Sequence, residues 1–366
     1  MKVALVSPYS FSFKGGVNTH LFFLQKFFDK YNIETHIIAP AEPGKPLAYN
    51  IDHSRFHTVG RSFSFMTNGS IARLAPTPGA LGKILLLKEN FDIWHIHEPF
   101  APGPSLFSIF TINKPIVGTF HAYSDIPFPF EWFKPISKKF SERINVKIAV
   151  SEASMHFAEQ YINGDFKIIP NGVNIDIFAP SEKFQQPTIL FVGRLEKRKG
   201  LDVLLRAWNK IFKKFPDAQL RIAGYSTEKR INKFQDLDGI KFLGELSEED
   251  LAREYSKAWI FCSPALGGES FGMTILEALS CGTAVVASNI TGFRSLLKNG
   301  QYGLLVEPND PNDLAQKICY LIKNKDARTE LEKKARPYAI NFSWEKITLS
   351  LIDNYKEAKN IFKTKL

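Results

Sequence analysis

The sequence predicts an α/β fold of two Rossmann-like domains facing each other across a cleft. Its 366 residues exceed the roughly 250–300 at which a single core stops growing. Short β-branched runs alternate with helix-length segments, the pattern of a parallel sheet with crossover helices. That series occurs twice, and the turn formers Pro170, Asn171 and Gly172 stand between the two copies.

The first series of expected strands is Val3–Val6, Glu34–Ala39, Asp92–Ile96, Ile116–Thr119, Lys147–Val150 and Lys167–Ile169. The second is Thr188–Val192, Gln219–Ala223, Ile240–Leu243, Ile260–Ser263, Ala284–Ala287 and Gly303–Val306. After Asn341, the residues Trp344, Ile347, Leu351 and Tyr355 recur at helical spacing on one face, so a terminal helix is expected to cross back onto the first domain. The expected boundaries are 1–169 with 344–366 for the first domain, 174–343 for the second, and a hinge at 170–173.

Composition narrows the class. Cys262, Cys281 and Cys319 are scattered and odd in number, which argues against a disulfide framework or a structural zinc site and fits a reducing compartment. The opening MKVALVSP holds too few apolar residues for a signal peptide and reads as a strand. No apolar run nears the ~18–20 residues that span a bilayer, so a soluble or peripheral protein is expected. The formal charge of +10 points to an acidic partner. Residues 1–169 carry 17 basic against 13 acidic side chains, and 344–366 carry 5 against 3. The basic residues are dispersed and no nucleic-acid module is recognisable, so no nucleic-acid partner is expected. The stretch 128–140, FPFEWFKPISKKF, interleaves Phe and Lys as a membrane surface would require, though core Phe beside solvated Lys gives the same string.

Three motifs carry chemistry. KGGVNTH at 14–20 follows the first strand, where a doubly wound domain places its ligand loop. Gly15 and Gly16 let backbone N–H groups approach a phosphate, and the following helix adds a partial positive charge. GRLEKRKG at 193–200 follows the first strand of the second series. There Arg194 offers a bidentate fork and Lys199 a mobile point charge, fit to hold a diphosphate and stabilise it as it leaves, while Arg198 is assigned to solvent. In GGESFGMTILEALSCG, from 267 on, Glu269 lies in a glycine-rich loop and Glu277 two helical turns later, so both carboxylates can address sugar hydroxyls of one ligand. Backbone N–H groups near Phe271 and Gly272, at the helix start, suit phosphate. Each motif also has a plainer reading, as an ordinary strand-to-helix turn, a solvated basic loop or a pair of solvated acids.

Together, Glu-x7-Glu after a glycine-rich loop, the Arg and Lys of GRLEKRKG and the early GGV resemble the retaining glycosyltransferases of the two-domain B-type (GT-B) fold over nearly the whole chain. The resemblance implies that Gly16, Arg194 and Lys199 bind the donor diphosphate, Glu269 the donor sugar and Glu277 the ribose, with the nucleobase near Leu246 to Glu248. PYSF at 8–11, NGSIARL at 68–74, HIHEP at 95–99 and TFHA at 119–122 further resemble the phosphatidylinositol mannosyltransferases. That implies GDP-mannose as donor, phosphatidylinositol as lipid acceptor, and Tyr9, Asn68 and Arg73 around the inositol phosphate. His121 is then a catalytic candidate beside Arg194, Lys199 and Glu269, hydrogen-bonding sugar or acceptor. A packed histidine is the plainer alternative.

The expected reaction is hexosyl transfer with retention, no cofactor and no metal. Asp236 and Asp238 form the one Asp-x-Asp and read as a surface loop. A lipid acceptor places the protein in the cytoplasm, peripherally on the inner face of the cell membrane. Two departures from the family are visible. The segment 77–90 has only Lys83 and Lys88 as basic residues, and Ser12 stands where an acidic residue is common. Docking is therefore expected through Ile84–Leu87 or Phe128–Lys139. Rival readings are a same-fold transferase with another donor or acceptor, such as UDP-glucose onto diacylglycerol, and a sugar-nucleotide epimerase.

Overall fold

In the computed structural model, residues 1–67, 70–124, 133–224 and 238–365 are described. The chain forms two compact units, Met1–Gly172 with Trp344–Leu366, and Val173–Ser343.

The first unit holds β1 (Lys2–Val6), β2 (Glu34–Ala39), β3 (Phe56–Thr58), β4 (Phe63–Thr67), β5 (Ser70–Leu74), β6 (Ile93–His97), β7 (Ile116–Phe120), β8 (Val146–Ala149) and β9 (Phe166–Ile168). Its helices are α1 (Gly16–Asp29), α2 (Pro78–Leu87), α3 (Pro104–Thr111), α4 (Lys134–Ser141) and α5 (Glu152–Glu159). Seven strands form one parallel sheet in the order β3-β2-β1-β6-β7-β8-β9, and β4-β5 is a separate antiparallel hairpin. Buried strands such as β6 (IWHIH) and β7 (IVGTF) are covered on both faces, as a parallel sheet requires.

The second unit holds β10 (Thr188–Val192), β11 (Gln219–Ala223), β12 (Ile240–Gly244), β13 (Ile260–Ser263), β14 (Ala284–Ser288) and β15 (Leu304–Val306), a parallel sheet in the order β12-β11-β10-β13-β14-β15. Its helices are α6 (Leu201–Lys214), α7 (Glu248–Lys257), α8 (Met273–Ser280), α9 (Thr291–Leu296), α10 (Pro311–Lys323) and α11 (Lys325–Ala339). Helix α12 (Trp344–Thr364) then joins the first unit, burying Trp344, Ile347, Leu351 and Tyr355 in the core with Phe23, Phe28 and Val117. Trp344 stacks on Phe23 at 5.4 Å and Tyr355 on Phe28 at 5.5 Å. Gly172 lies under the Trp344 ring, where a Cβ would stand 2.4 Å from it, so the chain turns tightly against that indole.

All twelve expected strands exist, with ends within a residue or two of those read from sequence. Strand β3 and the β4-β5 hairpin were not expected. β3 has three residues, and the hairpin exposes Phe63, Phe65 and Ile71, so neither shows the buried apolar run that marks a central strand.

Candidate active site

Each sheet reverses strand order at one point, between β1 and β6 in the first unit and between β10 and β13 in the second. Ligands of doubly wound sheets bind outside the carboxyl ends of the strands at that point.

In the second unit, that point gathers the loop after β10 and the loop after β13. The chain turns through Gly200 in a left-handed conformation (φ 73°) and a Cβ there would lie 1.8 Å from the Pro264 carbonyl, so only glycine lets the two loops touch. Leu266 N–H donates to the Arg198 carbonyl at 2.7 Å across the same junction. Glu269 Oε1 is thereby brought to Lys199 Nζ (2.7 Å) and to the Arg198 guanidinium. Arg198 also holds Glu196, and Arg194 pairs with Glu196 at 3.1 Å. Arg198 is thus not left to solvent. Its long side chain lies across the loop because the half-buried Glu269 carboxylate needs more than one donor in place of water. Burial would raise the Glu269 pKa, but the Lys199 and Arg198 charges outweigh it and hold the group below the usual carboxylate value.

Gly272, at φ 103°, precedes α8, whose first turn frees backbone N–H groups beside Phe271. Glu277, one face along α8, accepts from the buried Tyr255 hydroxyl at 2.8 Å, and burial raises its carboxyl to about 7. Leu246 is half-buried ahead of α7, and Glu248 opens α7 behind the Ser247 cap.

In the first unit, α1 begins at Gly16 with no side-chain cap, and a Cβ on Gly15 or Gly16 would meet nothing within 4 Å. These glycines therefore leave room for a ligand instead of admitting a neighbouring side chain. The Tyr9 backbone bridges Leu74, and Ser10 N–H donates to the Arg73 carbonyl at 3.0 Å, so the hairpin stands beside the β1–α1 loop. The Arg73 guanidinium lies 3.8 Å over the Phe13 ring and donates to Ser64 Oγ at 3.0 Å; Lys45 Nζ covers the same ring at 3.7 Å. Tyr9 and Arg73 are thus brought together. Asn68, Asp236 and residues 128–132 lie outside the described residues.

His121 follows β7 and is buried among imidazoles that the sequence reading passed over. Its Nε2 lies 2.9 Å from His97 Nδ1, and Asn171 Oδ1 accepts from His20 Nδ1 at 2.9 Å. His95 bridges the Tyr355 hydroxyl and Thr119 at 2.7 Å each. Burial holds His20 down to about 4 and His95 to about 3, and it pushes His97 and His121 well below 6.5, so all four are neutral at pH 7. Glu98, at φ 47°, points its buried carboxylate back at the backbone N–H groups of His121 and Ala122, at 2.6 Å for the latter. The alternation H-x-H-E within an apolar strand was the available signal for His97 and Glu98. Among the described residues, His20, His97 and His121 are the group able to hold a metal, one nitrogen from each lying within 4.8 Å of the others.

Residues 14–177 match the Glycosyltransferase Family 4 family and residues 174–338 match Glycosyl transferases group 1. The phosphatidyl-myo-inositol mannosyltransferase of Mycolicibacterium smegmatis is 32% identical over 97% of this chain and 94% of that protein. The chain belongs to the group 1 glycosyltransferase family. The Mycobacterium tuberculosis protein of the same name is 33% identical over 97% of both chains. Among solved structures, sucrose-phosphate synthase from Thermosynechococcus elongatus superposes with a TM-score of 0.77 at 21% identity, covering 97% of this chain and 98% of that one. A glycosyltransferase from Rickettsia africae superposes at 0.76 with 25% identity, covering 98% of each. This protein is therefore a glycosyltransferase of GT-B fold. No helix among the described residues is long and apolar enough to cross a membrane.

Proposed function

We propose that this glycosyltransferase moves mannose from GDP-mannose onto the inositol ring of phosphatidylinositol, with retention and without a metal, at the inner face of the cell membrane. The observation that carries the reading is the near-full-length similarity to proteins named phosphatidyl-myo-inositol mannosyltransferase. Tyr9, Arg73 and the Lys45-covered Phe13 ring support it, because they put two cations on one ring of the β1–α1 loop, as a phosphodiester acceptor needs.

In this reading Arg194, Lys199 and the backbone N–H groups near Phe271 and Gly272 take up the charge that develops on the departing diphosphate. Glu269 sets the Lys199 position and receives donor-sugar hydroxyls, while Glu277 receives the ribose. Gly15 and Gly16 admit the donor phosphates, Leu246 and Glu248 flank the base, and His121 hydrogen-bonds the sugar. Glu269 is already engaged by two cations, so a same-face displacement fits it better than attack by a free carboxylate.

The test is product analysis. GDP-mannose and phosphatidylinositol vesicles should give a mannosylated lipid by mass spectrometry, with α configuration by NMR and undiminished yield in EDTA. Turnover of UDP-glucose in its place, or transfer to a soluble acceptor alone, would sink the assignment.

A further inference from the structure

The His97–His121 pair fixes which ring nitrogen His121 can offer to a ligand. His97 ends β6, is fully buried, and its Nδ1 lies 2.9 Å from His121 Nε2. Its other nitrogen, Nε2, is buried with no hydrogen-bond partner. Two neutral imidazoles share one proton across the 2.9 Å contact, so there are two arrangements. If His121 Nε2 donates, His97 must carry its own proton on Nε2, leaving a buried N–H with no acceptor. If His97 Nδ1 donates, the atom left over is a bare lone pair, and unmet acceptors are tolerated in interiors more often than orphaned N–H groups.

We infer that His97 is a positioning residue that donates from Nδ1 to His121 Nε2 and so holds His121 in the Nδ1–H tautomer, presenting a hydrogen-bond donor and not a basic lone pair to its ligand. This rests on the reading of His121 as a site residue. Among the described residues the hydrogen bonds of His121 run through its Nε2 and its backbone N–H, which leaves the Nδ1–H to a sugar or phosphate oxygen. Glu98 completes the arrangement by holding the His121 backbone N–H, which leaves the ring orientation to His97.

The test uses the full chain labelled with 15N-histidine and long-range 1H–15N spectra, the His121 signals being assigned by their loss in His121→Ala. Wild type should show His121 protonated on Nδ1. His97→Asn, whose amide nitrogen falls near the place of Nδ1, should keep that tautomer and most of the activity. His97→Gln, whose amide falls near Nε2, should lose the tautomer and at least ~10-fold in kcat, the size of one lost oriented donor. His121 protonated on Nε2 in wild type, or an identical His121 spectrum in both variants, overturns the inference. If His121→Ala retains full activity, the reading of His121 as a site residue falls while the tautomer result stands.

Discussion

Lys199 Nζ lies 2.7 Å from Glu269 Oε1, which ties the loop after β10 to the loop after β13 through charge. With Arg198 on the same oxygen, the carboxylate organises two cations before any ligand arrives. Lys199→Ala should reduce turnover at least ~100-fold with an unchanged circular dichroism spectrum, because it removes a charge aimed at the leaving diphosphate. Glu269→Ala should lose activity to a similar degree and also stability, about 1–3 kcal/mol, since it leaves two half-buried cations facing each other. Chemical denaturation measures the second effect. Wild-type stability in Glu269→Ala would mean that the carboxylate does not organise the loop.

Tyr255 donates to Glu277, and the two act together on the pH dependence of donor binding. Burial raises the Glu277 carboxyl to about 7, and the Tyr255 hydrogen bond lowers it from where burial alone would put it. Below that pH Glu277 is protonated and is a poorer acceptor for ribose hydroxyls, so KM for the donor should climb as pH falls through 7. Tyr255→Phe should shift this limb to higher pH and raise KM at pH 7 by ~3–10-fold, the size of one hydrogen bond to a charged group, with kcat little changed. Initial rates from about pH 5.5 to 8.5 decide it; a KM profile indifferent to the variant separates Glu277 from the donor.

The four buried imidazoles set the acid limb of stability. Each has a folded pKa below its unfolded value of ~6.5, so the unfolded chain takes up the proton first. Their contribution is complete above pH 6.5 and is lost as pH falls, through about 4 for His20 and about 3 for His95. Each imidazole contributes a slope of ~1.4 kcal/mol per pH unit in that window. Glu98, raised by burial to about 7, works the other way, its contribution being present at low pH and lost between ~4.5 and 7. Glu277 runs in the same direction as Glu98. Four outweigh two, so Tm should rise from about pH 5 to 6.5 and flatten near 7. A calorimetric Tm that is level or falling over that range would mean the imidazoles are not held neutral.

Leu86 is 81% exposed whereas Ile84, two residues before it, is fully buried against Phe91 and Trp94. The run Ile84–Leu87 is therefore not one insertion element; α2 points Ile84 inward and Leu85 and Leu86 outward. Leu85 and Leu86 to Ser should weaken binding to phosphatidylinositol-containing vesicles severalfold at unchanged Tm, as loss of exposed apolar area implies. Ile84→Ala should lower stability by ~2–5 kcal/mol, the usual cost of truncating a buried Ile. Sedimentation with vesicles and thermal melts separate the two. If the double Ser variant binds as wild type does, Phe63, Phe65 and Ile71 on the β4-β5 hairpin are the next apolar surface to remove.

The sequence by itself determined the two parallel sheets and the loops that carry Gly15, Gly16, Arg194, Lys199, Glu269 and Glu277. Strand periodicity is local, and ligand loops must follow the central strands, so both features are written in consecutive residues. It also marked the face of α12, because helical spacing repeats every turn. Only the tertiary structure decided who meets whom. Arg198 is indistinguishable from a solvated lysine-rich turn until Gly200 lets the backbone touch Pro264 and brings Glu269 within reach. His20, His95, His97 and His121 come from three different elements and converge because β1, β6 and β7 are neighbours in the sheet while α1 packs against it. Their neutrality follows from burial, a property of the folded core that no spacing in the chain records.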